Sequence, residues 1–160
     1  MEIRIAKRSD IPELQRLLYQ VGDVHHRIRP DIFRAGAIKY TEEELATILE
    51  NAATPVFAAM EGERMLGYCF CQWEQFENST VMTDRKELYI DDLCVDEDSR
   101  GAGVAKELYD YTLAYARERG CNFLTLNCWN GNDRAIRFYE KMGMKPRKVY
   151  MEFALEDTEC

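Results

Sequence analysis

The sequence predicts an α/β fold with a mixed, twisted β-sheet flanked by helices on both faces, in the order β-α-α-β-β-β-α-β-α-β. Two patterns carry that expectation. Between Val56 and Val95 the chain reads as three strands joined by turns, a meander that implies antiparallel pairing. From Lys86 onward, strands and helices alternate, which implies parallel neighbours with helices on the sheet faces. A length of 160 residues allows one substantial core and is too short for two ordinary ones, so a single domain over residues 1–160 is expected.

Met1–Ala6 alternates as a first strand. Ser9 and Asp10 offer caps, Pro12 suits a first helical turn, and Ile11, Leu14, Leu17, Leu18 and Val21 form a helical stripe. Residues 22–40 are the least regular stretch, with Gly22, His25, His26, Arg27, Arg29, Pro30 and Gly36. Thr41-Glu42-Glu43-Glu44 is a capping box that opens a short helix with Leu45, Ile48 and Leu49 inward. Val56–Met60 and Met65–Phe76 read as strands around a tight turn at Glu61–Arg64. After the polar loop Glu77–Arg85 comes a strand at Lys86–Val95, then Asp96–Ser99 leads into Arg100-Gly101-Ala102-Gly103-Val104-Ala105. Gly103 to Gly120 has helical spacing, with Val104, Leu108, Tyr111 and Tyr115 on one stripe. Phe123–Cys128 reads as a strand, Asn132–Met142 as a helix ended by Gly143, and Lys148–Ala154 as a last strand.

Composition narrows the function classes. An apolar content of 46% supplies a globular interior. A formal net charge of −8 repels nucleic acid and anionic lipid and mildly favours cationic ligands such as amines. No run approaches the roughly 18 apolar residues of a membrane span, and Met1–Ile5 lacks the features of a signal peptide, so a cytoplasmic protein is expected. The 6 cysteines lie mostly within apolar segments and read as reduced packing thiols. Cys69 and Cys71 share one strand face but have no matching second pair, so no metal site is expected.

The chemistry centres on the glycine loop. Two glycines at i and i+2, after a strand and opening a helix, allow backbone amides to approach an anion, and the helix start adds positive potential. Arg100 can add a charge-assisted contact. By itself the pattern also suits a plain strand-to-helix turn. It is neither a Walker loop nor G-x-G-x-x-G.

The stretch Leu93-Cys94-Val95-Asp96-Glu97-Asp98-Ser99-Arg100-Gly101-Ala102-Gly103-Val104-Ala105 resembles the acetyl-CoA signature of the GNAT superfamily of N-acetyltransferases, Gln/Arg-x-x-Gly-x-Gly/Ala, through Arg100, Gly103 and Ala105. A second block, Asn132 to Met144, is similar to that family's Asn-x-x-Ala-x-x-Phe-Tyr-x-Lys-x-Gly-Phe segment, departing only at Met144. The resemblance covers nearly the whole chain. It implies a GNAT-like fold, acetyl-CoA as donor without a metal, and direct transfer to a small cationic amine or a protein or peptide amine. It places the cofactor against Leu93, Cys94, Val95, Arg100, Gly101, Ala102, Gly103, Val104 and Ala105, with Asn127, Asn132 and Tyr139 nearby. The amide of Leu93 would polarise the acetyl oxygen. A homodimer follows by analogy with the fold alone.

Tyr139 has two readings. Ala135, Phe138, Tyr139 and Met142 are spaced as one buried helix face, whereas the resemblance makes Tyr139 the general acid. Asn132 suits a helix N-cap and also a hydrogen bond to pantetheine. Asp91 and Asp92 put two carboxylates into an apolar strand, where unpaired charge is costly. Successive strand residues point to opposite faces, so both can serve one site as base or amine anchor only if a bulge intervenes. The segment is similar to the Tyr-Leu-Glu-Asp strand of diamine acetyltransferases, with Asp91 at the glutamate. His25, His26, Arg29 and Trp73 are expected to line the acceptor pocket, with Trp73 and Trp129 also suited to the core. The competing reading is a non-catalytic acyl-CoA-binding regulatory module, which would need neither Tyr139 nor the acidic pair.

Overall fold

The computed structural model describes residues 1–156. Its elements are β1 (Glu2–Ile5), α1 (Ile11–Ile28), α2 (Glu42–Glu50), β2 (Val56–Glu61), β3 (Arg64–Phe76), β4 (Arg85–Val95), α3 (Val104–Glu118), β5 (Phe123–Leu126) and α4 (Asp133–Lys141). They form a five-stranded sheet in the order β1-β2-β3-β4-β5. The first four strands pair antiparallel and β5 joins β4 in parallel, so the mixed sheet follows the meander and the later strand–helix alternation.

Both faces of the sheet are covered. On one, Leu14, Leu17 and Leu18 of α1 and Leu45 of α2 are fully buried against Ala58, Met65, Tyr68 and Phe70. On the other, Val104, Leu108 and Tyr109 of α3 pack with Phe138 of α4 and Met142 just after it onto Phe57, Cys69, Leu88 and Ile90. Each fully buried leucine contributes about 1.5–3 kcal/mol of transfer free energy, so these stripes hold the helices in place. Gly67 permits the tightest part of this packing: a Cβ there would lie 2.7 Å from the carbonyl oxygen of Cys94 and 3.0 Å from Leu108 Cδ1. The start of α3, and with it the glycine loop, is thereby seated directly on the sheet.

Two expectations are corrected. Helix α1 continues through Gly22 to Ile28, so His25 and His26 sit on a helix and not in an irregular segment. Gly22 marks a close approach: a Cβ would lie 2.6 Å from the Ala37 carbonyl oxygen, and its absence lets the returning chain cross the helix. Lys148–Ala154, expected as a strand, carries no secondary structure and pairs with nothing among the described residues. No helix of the described residues is long and apolar enough to cross a membrane.

Candidate functional site

The site begins where the sheet parts. Strands β4 and β5 pair from Glu87↔Phe123 to Ile90↔Leu126 and no further, leaving Asp91–Val95 without a neighbour on that side. At the same point β4 carries a bulge. Phe70 of β3 opposes Asp92 while Cys71 opposes Ile90, so Asp91 is an extra residue in the ladder. Leu88, Ile90, Leu93 and Val95 therefore face α3 and α4, whereas Cys94 faces α1. Asp91 and Asp92, adjacent in sequence, both point towards the α1 side.

Their partners confirm the shared face. Tyr40 Oη donates to Asp91 Oδ2 at 2.9 Å, and Lys39 Nζ donates to the same oxygen at 2.8 Å. Tyr68 Oη donates to Asp92 Oδ2 at 2.6 Å, and the Tyr68 and Tyr40 rings both pack on Phe70. Burial pushes the Asp92 carboxyl up to about 6, against the opposing pull of the Tyr68 hydrogen bond and Lys39. Burial would lower the Lys39 ammonium, but its bond to Asp91 outweighs that and raises it. Tyr40 is pushed up to about 12 by burial and by the Asp91 carboxylate. A buried acid near neutrality thus sits beside a carboxylate that already holds a primary ammonium.

Tyr139 lies on the other side of β4, on the face of α4 packed with α3. Its ring meets Phe138 at 5.2 Å and Tyr109 at 6.5 Å between centroids. Burial first, then Cys69 and Asp92, push its hydroxyl well above the ordinary tyrosine range. It stays protonated throughout neutral pH. Asn132 caps α4, its Oδ1 accepting from Ala135 N at 3.3 Å. Asn127 donates from Nδ2 to Tyr89 Oη at 2.9 Å across the mouth of the parted strands.

Beyond β4 the chain turns through Glu97–Ser99 to Arg100 and the loop. Gly101 and Gly103 adopt φ of 84° and 81°, and a Cβ on either would meet nothing within 4 Å. Glycine is needed here for backbone conformation, not for space. Gly103 precedes α3 with no side-chain cap, Gly101, Ala102 and Gly103 are exposed, and the Ala102 amide makes only a long bond, 3.4 Å, to the Ser99 carbonyl. Arg100 makes no ion pair with a described residue and lines a cleft of about 380 Å³ shared with Arg16, Gln20, Arg27 and Glu97. This combination of an exposed glycine loop, an uncapped helix start and a guanidinium suits a phosphorylated anion.

Asp96 fixes the turn into that loop. Almost fully buried, it accepts from Arg64 at 2.8 Å, Arg16 at 3.0 Å and Gln20 at 3.1 Å. Burial alone would raise its pKa, but these donors outweigh it and hold the carboxyl at about 2. With the folded value below the ordinary 3.8, its stabilisation is present above that value and fades as pH falls towards 2. Asp96→Ala is expected to lower unfolding free energy by about 2–3 kcal/mol at pH 7, with the gap from wild type closing near pH 2. Urea titrations at the two pH values measure it.

The expected pocket residues divide. His25 stacks on Phe33 at 5.0 Å between centroids, and Phe33 meets Trp129 edge-on at 5.0 Å. His26 Nδ1 lies 2.7 Å from the Phe33 carbonyl oxygen. Burial, then the Lys39 ammonium, lowers the His25 pKa, which favours its neutral ring. Arg29 is instead engaged by Asp31 and Glu152 at the surface, which takes its guanidinium out of the expected pocket role. Trp73 lies on the opposite face from the acidic pair, against Tyr115 of α3 with Lys86 Nζ 4.7 Å from its ring centroid. It is core wall, placed there by strand alternation. Sequence reasoning did not single out Lys39, Tyr40, Tyr68 or Phe33: their signal is contact across the fold, although a polar residue inside the apolar run Met65–Phe70 hinted at Tyr68. No cluster of three or more His, Cys, Asp or Glu side chains able to hold a metal occurs among the described residues.

A family model described as the acetyltransferase (GNAT) family matches residues 21–144. N-alpha-acetyltransferase 30 of Schizosaccharomyces pombe is 26% identical over 104 residues, 65% of this chain and 66% of that protein. Thialysine N-epsilon-acetyltransferase of Bos taurus is 22% identical over 149 residues, 88% of this chain and 82% of that protein. The chain thus spans about two-thirds of the first relative's length and more of the second's. A crystal structure of a mutant BH1408 protein from Bacillus halodurans superimposes with a TM-score of 0.93 at 30% identity, covering 98% of this chain and 100% of that one.

Proposed function

The chain belongs to the acetyltransferase (GNAT) family, and from that premise we propose that it transfers acetyl from acetyl-CoA to a cationic primary amine. The observation that carries this reading is the Asp91 bulge, which brings two carboxylates to one face beside the parted strands. The two curated relatives are named for an α-amine and a thialysine ε-amine, so both precedents are amines. Five free thiols among the described residues suit a cytoplasmic setting.

Acetyl-CoA supplies an activated acetyl thioester. Arg100 and the amides of Gly101, Ala102, Gly103, Val104 and Ala105 would hold its pyrophosphate, and the unpaired edge of Leu93–Val95 its pantetheine, with the Leu93 amide polarising the acetyl oxygen. Asn127, bonded to Tyr89 at the mouth of the parted strands, and Asn132, the cap of α4, would contact the pantetheine. On the acceptor side, Asp91 anchors the incoming ammonium and Asp92, ionised above about pH 6, takes its proton. His25, His26, Phe33 and Trp129 form the adjoining wall. Tyr139, still protonated, would give its proton to the sulfur as the C–S bond breaks, and the second proton the nitrogen sheds on becoming an amide would restore the phenol through water.

Lys39 supports this assignment as an internal stand-in for the acceptor, because its primary ammonium sits on Asp91. An acceptor must displace it. Lys39→Met is expected to lower KM for a cationic amine about two- to fivefold with kcat unchanged, the size of a partly exposed ion pair. An unchanged or raised KM would remove Lys39 from the acceptor site.

The function itself is tested by release of CoA thiol from acetyl-CoA across polyamines, amino acids, aminoglycosides and peptide N-termini. Amine-dependent release, greatest for diamines and lysine-like acceptors, is expected. Acetyl-CoA binding with no release for any amine would instead establish an acyl-CoA-binding module.

A further inference from the structure

The amine that already occupies the acidic pair belongs to the protein itself. Among the described residues two lysines form ion pairs, Lys106 with Asp110 along α3 and Lys39 with Asp91 across the fold. Lys39 stands on the irregular segment between α1 and α2, two residues after Ala37, where the chain crosses α1 at Gly22. Its neighbour Tyr40 bonds the same Asp91 oxygen, so the backbone delivers this lysine to the bulge. The Lys39 side chain is 46% exposed and has room to swing. Leu93, at the unpaired edge of β4, lies two residues beyond Asp91, about 7 Å along a strand and within the sweep of a four-carbon stem. Burial acts first on both the Lys39 ammonium and the Tyr139 hydroxyl, but the Asp92 carboxyl acts on each as well, so it is within electrostatic reach of both.

We propose that Lys39 is itself acetylated, within its own chain, when acetyl-CoA is bound and no free amine is present, and that losing its charge releases Asp91 for the next acceptor. This inference rests on the acetyl transfer proposed above. Asp92 takes one proton from the Lys39 ammonium, and the freed lone pair attacks the thioester carbon. A C–N bond forms, the C–S bond breaks, and Tyr139 protonates the departing sulfur. The second proton leaves the nitrogen as the amide forms and restores the phenol through water. The products are Nε-acetyl-lysine, CoA thiol and one proton, which Asp92 returns to solvent. Tethering the nucleophile beside the site raises its local concentration far above that of a free amine. An acetylated lysine has no charge to offer, so Asp91 loses its internal partner.

The test incubates the full chain with acetyl-CoA and no added amine, following intact mass and peptide maps over time. One acetyl group is expected, at Lys39, gained about tenfold or more faster than at the exposed Lys7, Lys106, Lys141, Lys145 and Lys148, which report background labelling. The rate constant should not vary with protein concentration, and a saturating diamine should suppress it. After removal of CoA, the acetylated chain is expected to bind that diamine about two- to fivefold more tightly in calorimetric titration. Labelling of Lys39 no faster than the other lysines overturns the proposal. So does a rate constant that rises with protein concentration, since transfer then runs between molecules. Unchanged or weaker diamine binding overturns the release of Asp91. CoA release with free amines beside an unmodified Lys39 overturns this inference and leaves the proposed function standing. No release with any amine and no acetyl on Lys39 overturns both.

Discussion

Replacing Tyr139 by Phe is expected to lower kcat by roughly 10²–10⁴ while leaving affinity for acetyl-CoA within about threefold. The substitution deletes one oxygen and keeps the ring between Phe138 and Tyr109, so packing survives. Tyr139 is only partly buried and its hydroxyl is not a buried unpaired atom, so stability is expected to hold within about 1 kcal/mol. What disappears is a proton that burial keeps on oxygen well beyond the ordinary tyrosine range. A thiolate leaving into this partly buried site then has no acid to receive it. Steady-state kinetics with a saturating amine, paired with calorimetric titration of acetyl-CoA, separates the two effects. An unaltered kcat would make Tyr139 a packing residue of α4 and nothing more.

Asp92→Asn should cost about 10²–10³ in kcat/KM at pH 7.5 and abolish the acidic limb of the pH profile. In the wild type that limb is expected near pH 6, where burial places the Asp92 carboxyl. Stability moves the other way. With its folded pKa above the ordinary 3.8, Asp92 binds protons more tightly in the native state, and stability falls as pH rises between those values. Asparagine removes that penalty and can still accept from Tyr68, so the variant should melt no lower than wild type at pH 7.5. Activity lost without stability lost identifies a base and not a structural prop. Retention of the acidic limb in Asp92→Asn together with its loss in Asp91→Asn would exchange the two roles.

Most elements were legible because their causes are local. The Thr41–Glu44 capping box starts α2 with both reciprocal hydrogen bonds, and Asn132 caps α4 as its residue type suggests. The glycine loop opens α3 where two glycines allow positive φ. Where local rules failed, a distant contact had decided the outcome. Gly22 looked like a helix stop and is instead the crossing point for Ala37. Lys148–Ala154 has strand composition but finds no edge within its own chain. At the site, the acidic pair, the loop and Tyr139 were visible as residue types, and the need for a bulge followed from strand alternation. Lys39 and Tyr40 were not visible, since their meeting with Asp91 depends on a chain segment returning about fifty residues before it in sequence. Trp73 stayed open between pocket and core because its place depends on sheet parity, which β3 carries to the α3 face.

The bulge also bears on the thermodynamics of the whole molecule. Glu87, also buried in β4, is answered by Arg85 and Arg147, whereas at Asp91 and Asp92 the fold sets two carboxyl groups side by side and buries one of them without an ion pair among the described residues. This is local frustration, a place where the chain forgoes stability that an apolar pair would provide. A cation that settles there relieves it, and the native state alone offers such a seat. Occupancy and folding are therefore linked: each bound amine deepens the native basin by RT ln(1 + [L]/Kd). If an amine is the acceptor, the bulge at which β4 gathers two carboxylates is also the point through which the acceptor would strengthen the entire fold.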